Sequence, residues 1–155
     1  MKSKFFKIIV GVFILANLGM AEYVKRNNEI YYKYGKEDDS GFKVENVDLN
    51  TFKILDDKYA KDSKSVYFLG NKSFEDVDIK TFEVLPNNYS KDKNNIYYSD
   101  RKIIGADLST FQIGSDGFSK DKNNIYFGGK KILGVDRDTI KIIELPYIKD
   151  KNNVY

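Results

Sequence analysis

Apolar and polar residues alternate along this chain in short segments, and polar turns separate one segment from the next. Lys91–Tyr98 reads KDKNNIYY, in which a turn of Asp, Lys and Asn lies directly before a β-branched residue and two aromatic residues. This order of residue types is typical of a β-hairpin. Related segments are Lys61–Phe68, Lys120–Phe127 and Lys149–Tyr155. The pattern therefore predicts β-hairpins in tandem.

Two motifs share a period of about 30 residues, which identifies an internal repeat. One aspartate recurs at intervals of 30, 29 and 29 residues: Asp62, Asp92, Asp121 and Asp150. A second motif, Asp-x-x-Thr followed by an apolar residue, begins at the same intervals: Asp48, Asp78, Asp107 and Asp136. Copies therefore start near residues 58, 88 and 117, a partial copy covers 147–155, and a diverged copy opens the segment 22–155.

The fold predicted from this pattern is all-β. Each copy is expected to contain four short strands joined by turns, and units of this length pack against their sequence neighbours. We expect an array of hairpin repeats over residues 22–155, arranged as a solenoid-like stack or as an extended twisted sheet. A small β-propeller-like arrangement is the alternative.

The turn residues allow two local predictions. Lys93-Asn94 or Asn94-Asn95 is expected to form the hairpin turn, because Asn tolerates the positive φ that a type I′ turn requires. Asp107 and Asp136 are expected to cap a second turn. Their carboxylates would accept backbone N–H groups from residues two or three positions ahead.

The length of the hairpin turn decides which side chains share a face. A two-residue turn places three residues on the core face: Tyr89, Ile96 and Tyr98. It places three others on the opposite face: Ser90, Asp92 and Tyr97. A three-residue turn would reverse this assignment.

Under the two-residue register, one tyrosine of each copy joins a row outside the core: Tyr67, Tyr97, Tyr126 and Tyr155. This row is the candidate ligand-binding site, because exposed and evenly spaced aromatic rings can stack on sugars or contact a peptide. The alternative is that the rings pack against the neighbouring copy. The abundance of Tyr and Phe favours this alternative, since a chain with few Leu must build its core from aromatic residues.

The hairpin segments resemble the DKNYY family, a bacterial repeat family named for an Asp-Lys-Asn-Tyr-Tyr stretch. Asp92-Lys93-Asn94 with Tyr97-Tyr98 and Asp121-Lys122-Asn123 with Tyr126-Phe127 carry the resemblance best. The copy that contains Asp62 departs from it, with Ser63-Lys64-Ser65 after the aspartate. The resemblance covers most of residues 24–155 and implies an exported β-repeat protein. It implies no particular activity.

Residues 1–21 are interpreted as a secretory signal peptide. Three lysines precede the apolar run Ile8–Leu18, and small residues lie three positions and one position before Glu22, at Gly19 and Ala21. Cleavage is expected between Ala21 and Glu22; an uncleaved membrane anchor is the alternative. The uncharged run from Ile8 to Ala21 has 14 residues, fewer than the roughly 20 that cross a bilayer as a helix. We therefore expect export to the periplasm or the cell exterior, with no stable membrane span after cleavage.

Charge and composition exclude several kinds of chemistry. The chain has 26 basic and 23 acidic residues, and without the three lysines of residues 1–21 the two signs balance. A nucleic-acid surface, which needs uncompensated basic residues, is not predicted. Cys and His are absent, so no thiol nucleophile, imidazole base or ordinary zinc or haem site is expected. The turn Asp92–Asn95 lacks the several carboxylates of a calcium loop, and no metal or cofactor is predicted.

Two classes of function fit these observations. The first is a non-enzymatic binding or scaffold module that contacts a protein or glycan of the bacterial cell envelope. The alternative is an envelope enzyme that acts on a polysaccharide through a carboxylate pair. An acid that departs from the repeat pattern and lies in a cleft beside a second acid would favour the enzyme. Acids confined to repeated turns would favour binding. Exposed edge strands also make pairing with another chain a hypothesis.

Overall fold

The computed structural model describes residues 22–35, 41–136, 138–144 and 147–154. The predicted signal peptide, with Ala21, and the candidate Tyr155 lie outside the described residues. All regular secondary structure in the described part is β-strand, which confirms the all-β prediction. That part contains no helix with the length and apolarity needed to cross a membrane.

The described residues form seventeen short strands: β1 (Glu22–Arg26), β2 (Glu29–Lys33), β3 (Phe42–Lys43), β4 (Lys53–Ile54), β5 (Tyr59–Lys61), β6 (Val66–Phe68), β7 (Asn71–Lys72), β8 (Glu83–Val84), β9 (Tyr89–Lys91), β10 (Ile96–Tyr98), β11 (Arg101–Lys102), β12 (Gln112–Ile113), β13 (Phe118–Lys120), β14 (Ile125–Phe127), β15 (Lys130–Lys131), β16 (Lys141–Glu144) and β17 (Tyr147–Lys149). They pair as separate small antiparallel sheets, in the orders β1-β2-β3, β4-β5-β6-β7, β8-β9-β10-β11, β12-β13-β14-β15 and β16-β17. Each four-stranded sheet begins one strand before its hairpin. The prediction of tandem hairpin repeats is therefore confirmed.

The hairpin of the middle sheet has the register of a two-residue turn. Tyr89 pairs with Tyr98, and Ser90 pairs with Tyr97. The predicted sharing of faces follows from this register, so the two-residue alternative is confirmed. The predicted turn type is wrong, because the residues of this turn do not have positive φ. Instead, the Asp92 carboxylate accepts the N–H groups of Asn94 and Asn95, each at 2.7 Å, and these bonds hold the turn.

Both faces of this hairpin are buried, because consecutive sheets pack face to face. On one face, Tyr97 contacts a cluster formed with Tyr59 and Phe82 of the preceding part of the chain. On the other face, Tyr89 and Ile96 pack with the following copy. Each described cluster joins consecutive sheets, as in a solenoid-like stack. The core therefore lies between the sheets.

The placement of the tyrosine row outside the core is wrong for the three members that the structure describes. Tyr67, Tyr97 and Tyr126 are each 0 % exposed. Alternation places these rings opposite the first core face, but a neighbouring sheet covers the opposite face as well. The alternative interpretation, that the rings pack against the neighbouring copy, is confirmed for these three residues.

Candidate functional site

The recurring aspartate of each copy is the centre of a buried hydrogen-bond network. Asp92 is 2 % exposed. Its Oδ1 accepts the two turn N–H groups described above, and its Oδ2 accepts the Asp78 N–H at 2.8 Å and the Tyr97 hydroxyl at 2.9 Å. A carboxylate offers about four acceptor positions. All four of them bind groups of the same chain, which gives this aspartate a structural role.

The same network recurs in the neighbouring copies. Asp62 accepts the Tyr67 hydroxyl at 2.7 Å, and Asp121 accepts the Tyr126 hydroxyl at 2.7 Å. Burial raises the pKa of Asp121, but its hydrogen bonds outweigh burial and lower the pKa to about 2. Burial, and then the bond to Asp121, raises the pKa of Tyr126 to about 12. The aspartate is therefore an ionised acceptor at neutral pH, and the tyrosine is a neutral donor.

The Asp-x-x-Thr motif joins this network and brings the two sequence motifs together. The Lys93 ammonium lies 2.6 Å from a carboxylate oxygen of Asp78, and the Lys93 N–H donates to the Thr81 hydroxyl at 3.0 Å. In the hairpin of β5 and β6, Ser63 takes the place of this lysine. Its hydroxyl group donates a hydrogen bond to the Asp48 carboxylate at 2.8 Å. Polar residues of different length can therefore complete the same turn.

The predicted caps at Asp107 and Asp136 are confirmed. Asp107 accepts the Ser109 N–H at 3.0 Å, and Asp136 accepts the Asp138 N–H at 3.1 Å. The motif residues thus satisfy backbone donors of the turns. Sequence reasoning identified these positions correctly but could not show that the two motifs contact each other.

The tyrosine candidates do not form a binding surface in this structure. The rings of Tyr67, Tyr97 and Tyr126 expose no area on which a sugar or peptide could stack. The tyrosine at the other recurring position also serves the stack, because the Tyr89 hydroxyl donates to the Gly117 carbonyl oxygen of the next copy at 3.1 Å.

A groove near these motifs lies where the middle sheet meets the segment that follows it. It has a volume of about 520 Å³ and is open to solvent. Its apolar lining comes from both sides: Leu85, Ile96, Leu108, Phe111 and Ile113. Glu83 and Lys91 lie at its rim and form an ion pair at 3.3 Å. We call this feature the Lys91 groove. Its volume is within the range of about 300–1,000 Å³ of small-ligand sites.

A protein-family model described as the DKNYY family matches residues 23–155. The chain belongs to the DKNYY family. The resemblance inferred from the hairpin segments is thereby confirmed. No curated protein and no solved structure matches the chain. In this DKNYY protein, the Asp and the first Tyr of the family's stretch are the buried donor–acceptor pair at the centre of each network.

Sequence reasoning missed the Lys91 groove, although the sequence of this DKNYY protein carries a signal for it. Glu83 departs from the repeat, because the equivalent positions hold Lys53, Gln112 and Lys141. Glu83 is therefore an acid that departs from the repeat pattern and lies in a groove. Its charged partner in the structure is Lys91. The second acid of the groove, Asp92, is buried and bound within its own turn.

Proposed function

We propose that this DKNYY protein is a non-enzymatic binding or scaffold module of the bacterial cell envelope, and that it acts after export. Its partner is a protein or glycan of the envelope. The observation that carries the proposal is the Lys91 groove, an open concavity lined by five apolar and five polar or charged residues on a scaffold of packed sheets. Binding sites in proteins commonly combine an apolar lining with a few placed polar groups.

The state of the acidic residues supports binding over catalysis. The buried aspartates use their acceptor positions within the chain. The more exposed Asp78 is paired with Lys93, and this hydrogen bond is the main reason that its pKa is lowered to about 2. A general acid at neutral pH needs a pKa near the operating pH. The alternative, a carboxylate-pair enzyme, has one supporting feature, which is the location of Glu83 in a groove.

A binding screen tests the proposal. Protein spanning residues 22–155, which contains all the described strands, is screened against envelope glycans and purified envelope polypeptides. Substitution of Glu83 by Ala should weaken a specific contact at least about tenfold, since a charged acceptor is lost. Glu45→Ala, which removes an exposed acid outside the groove, is the matched control and should bind normally. Equal binding by the groove variant, or release of sugar from a polysaccharide, would contradict the proposal.

The export part of the proposal rests on residues 1–21. We expect the protein in the exported fraction of the source bacterium to begin at Glu22. N-terminal sequencing or intact mass measurement checks this expectation. Retention of the lysines of residues 1–21 on the exported protein would support the uncleaved anchor instead.

A further inference from the structure

The junction before the Lys91 groove shows what such a groove can hold. Lys61, the equivalent of Lys91, extends to the next copy and donates from its ammonium group to two backbone carbonyl oxygens. The distances are 3.0 Å to Ile79 and 3.1 Å to Phe82. At this junction the chain itself supplies a lysine side chain, and its half-buried aminoalkyl group bridges two copies.

The cross-strand partner explains why the two lysines differ. Lys61 is paired in register with Lys53, whereas Lys91 is paired with Glu83. Like charges that lie directly opposite each other are destabilising, and opposite charges attract. Lys61 therefore turns away from its partner toward the carbonyl groups. Lys91 turns toward Glu83 instead, at 3.3 Å.

The carbonyl groups equivalent to those that bind Lys61 belong to Leu108 and Phe111, 29 residues further along the chain. Both residues line the Lys91 groove. The groove thus repeats the site of the Lys61 side chain, but the lysine of its own copy is engaged elsewhere. Glu83 adds a carboxylate at the rim that the first junction does not have.

We infer that the Lys91 groove binds a lysine side chain of a partner polypeptide. The ammonium group of the partner donates to the carbonyl oxygens of Leu108 and Phe111, and its aliphatic chain lies on the apolar lining. Carbonyl and carboxylate oxygens accept hydrogen bonds and therefore favour a cation with several N–H donors. This inference rests on the proposed binding function and names the class of partner.

Lys91 limits the affinity, because it neutralises Glu83 and repels a second ammonium group. Substitution Lys91→Met keeps the aliphatic length and removes the charge, so it should tighten binding of the partner lysine. Substitution Glu83→Lys recreates the charge pattern of the first junction. Lys91 should then turn into the groove as Lys61 does and abolish binding.

The test is a titration of the protein spanning residues 22–155 with a Gly-Gly-Lys-Gly-Gly peptide whose two termini are blocked. Amide chemical shifts in ¹H–¹⁵N NMR spectra measure the binding. We expect saturable shifts at residues 108–113. Peptides with norleucine or acetyl-lysine in place of lysine should bind at least about tenfold more weakly, because the charged donor is lost. Lys91→Met should increase the affinity, and Glu83→Lys should remove the shifts while the rest of its spectrum stays dispersed as in the wild type.

The first junction provides a reciprocal variant. Lys53→Glu should draw Lys61 away from Ile79 and Phe82, and the lysine peptide should then also shift the amides of residues 79–84. Equal affinity for the norleucine peptide, or shifts of the wild type that lie away from residues 108–113, would overturn the lysine assignment. Absence of lysine binding together with specific binding of an envelope glycan would overturn this inference alone. Absence of both would overturn the proposed function too.

Discussion

Two consecutive junctions of this DKNYY protein have the same framework but differ in one charged pair. In the first junction, Tyr97 packs with Tyr59 and Phe82. In the second junction, Tyr126 packs with the equivalent residues Tyr89 and Phe111. Each of the two tyrosines donates to a buried aspartate of its own hairpin. The cross-strand pair differs, because the position opposite the recurring lysine holds a lysine in the first junction and a glutamate in the second.

The comparison distinguishes two kinds of position in the repeat. Some positions maintain the fold, such as the buried tyrosine and aspartate, whereas the residue opposite the recurring lysine differs between the two junctions. At one structural position a substitution keeps the bond, since Ser63 takes the place of the lysine that follows the other aspartates and donates to Asp48. The cross-strand position is on the surface, where the chain can change charge at little cost in stability. A single reversal of charge there redirects a lysine side chain and leaves a groove open.

The largest expected effect is the loss of a buried tyrosine ring from either junction. Tyr97→Ala and Tyr126→Ala should each lower the free energy of unfolding by about 3–5 kcal/mol, since a large cavity forms in the core. Urea unfolding followed by circular dichroism measures this loss. Tyr147→Ala is the control, because Tyr147 is 58 % exposed, and it should have little effect. A Tyr97→Ala variant as stable as the wild type would contradict the contribution of that buried ring to the core.

The next effect concerns the buried carboxylate of the second junction. Asp121→Asn should lower the free energy of unfolding by about 2 kcal/mol at pH 7, because the amide nitrogen cannot accept the three bonds that Oδ2 accepts. The pKa of Asp121 in the folded protein is about 2, below the value of about 3.9 in the unfolded chain. Its stabilising contribution is therefore complete above pH 4 and is lost as the pH falls toward 2.

Thermal unfolding at several pH values checks this dependence. The melting temperatures of the wild type and of Asp121→Asn should converge as the pH falls from 4 to 2. The equivalent variant of the first junction, Asp92→Asn, should also approach the wild type as the pH falls, because burial raises the pKa of Asp92 but four equivalent hydrogen bonds outweigh burial and lower it. A difference between wild type and variant that persists at pH 2 would contradict the assigned role of the carboxylate.

A smaller effect is expected when only the tyrosine hydroxyl is removed. Tyr126→Phe keeps the packing of the ring and loses the 2.7 Å bond to Asp121, together with the bonds that join the hydroxyl to Asn124 and Gly105. It should lower the free energy of unfolding by about 1.5 kcal/mol, the lower end of the range for hydrogen bonds to a charged group. Tyr98→Phe is the matched control, because its ring lies on the opposite face of its hairpin, away from the aspartate network. Equal losses for the two variants would argue against the network.

The smallest effect should have opposite signs in the two junctions. Lys53→Glu replaces a like-charged cross-strand pair by an attractive pair and should raise the free energy of unfolding by up to about 1 kcal/mol. Glu83→Lys makes the reverse change and should lower it by a similar amount. Both effects should shrink in high salt because the residues are near the surface. Urea unfolding at two salt concentrations measures them, and effects of the same sign would show that the pair does not determine the difference.

Much of the local structure could be predicted because it depends on neighbours in sequence. Alternation around the hairpin turn indicated correctly which residues share a face. The caps at Asp107 and Asp136 followed from bonds that span two or three residues. The type I′ turn was the local error, because a side-chain carboxylate satisfied the N–H groups of Asn94 and Asn95 without positive φ.

The repeat period, the strand pattern and the all-β class were determined by the sequence alone, since turn residues and alternation act over a few positions. Burial of Tyr97 was decided by tertiary structure, because alternation assigns a side chain to a face but does not show that another sheet covers that face. The different bonds of Lys61 and Lys91 were also decided there. They depend on which strand lies beside each lysine, and that pairing exists only once the sheets have formed.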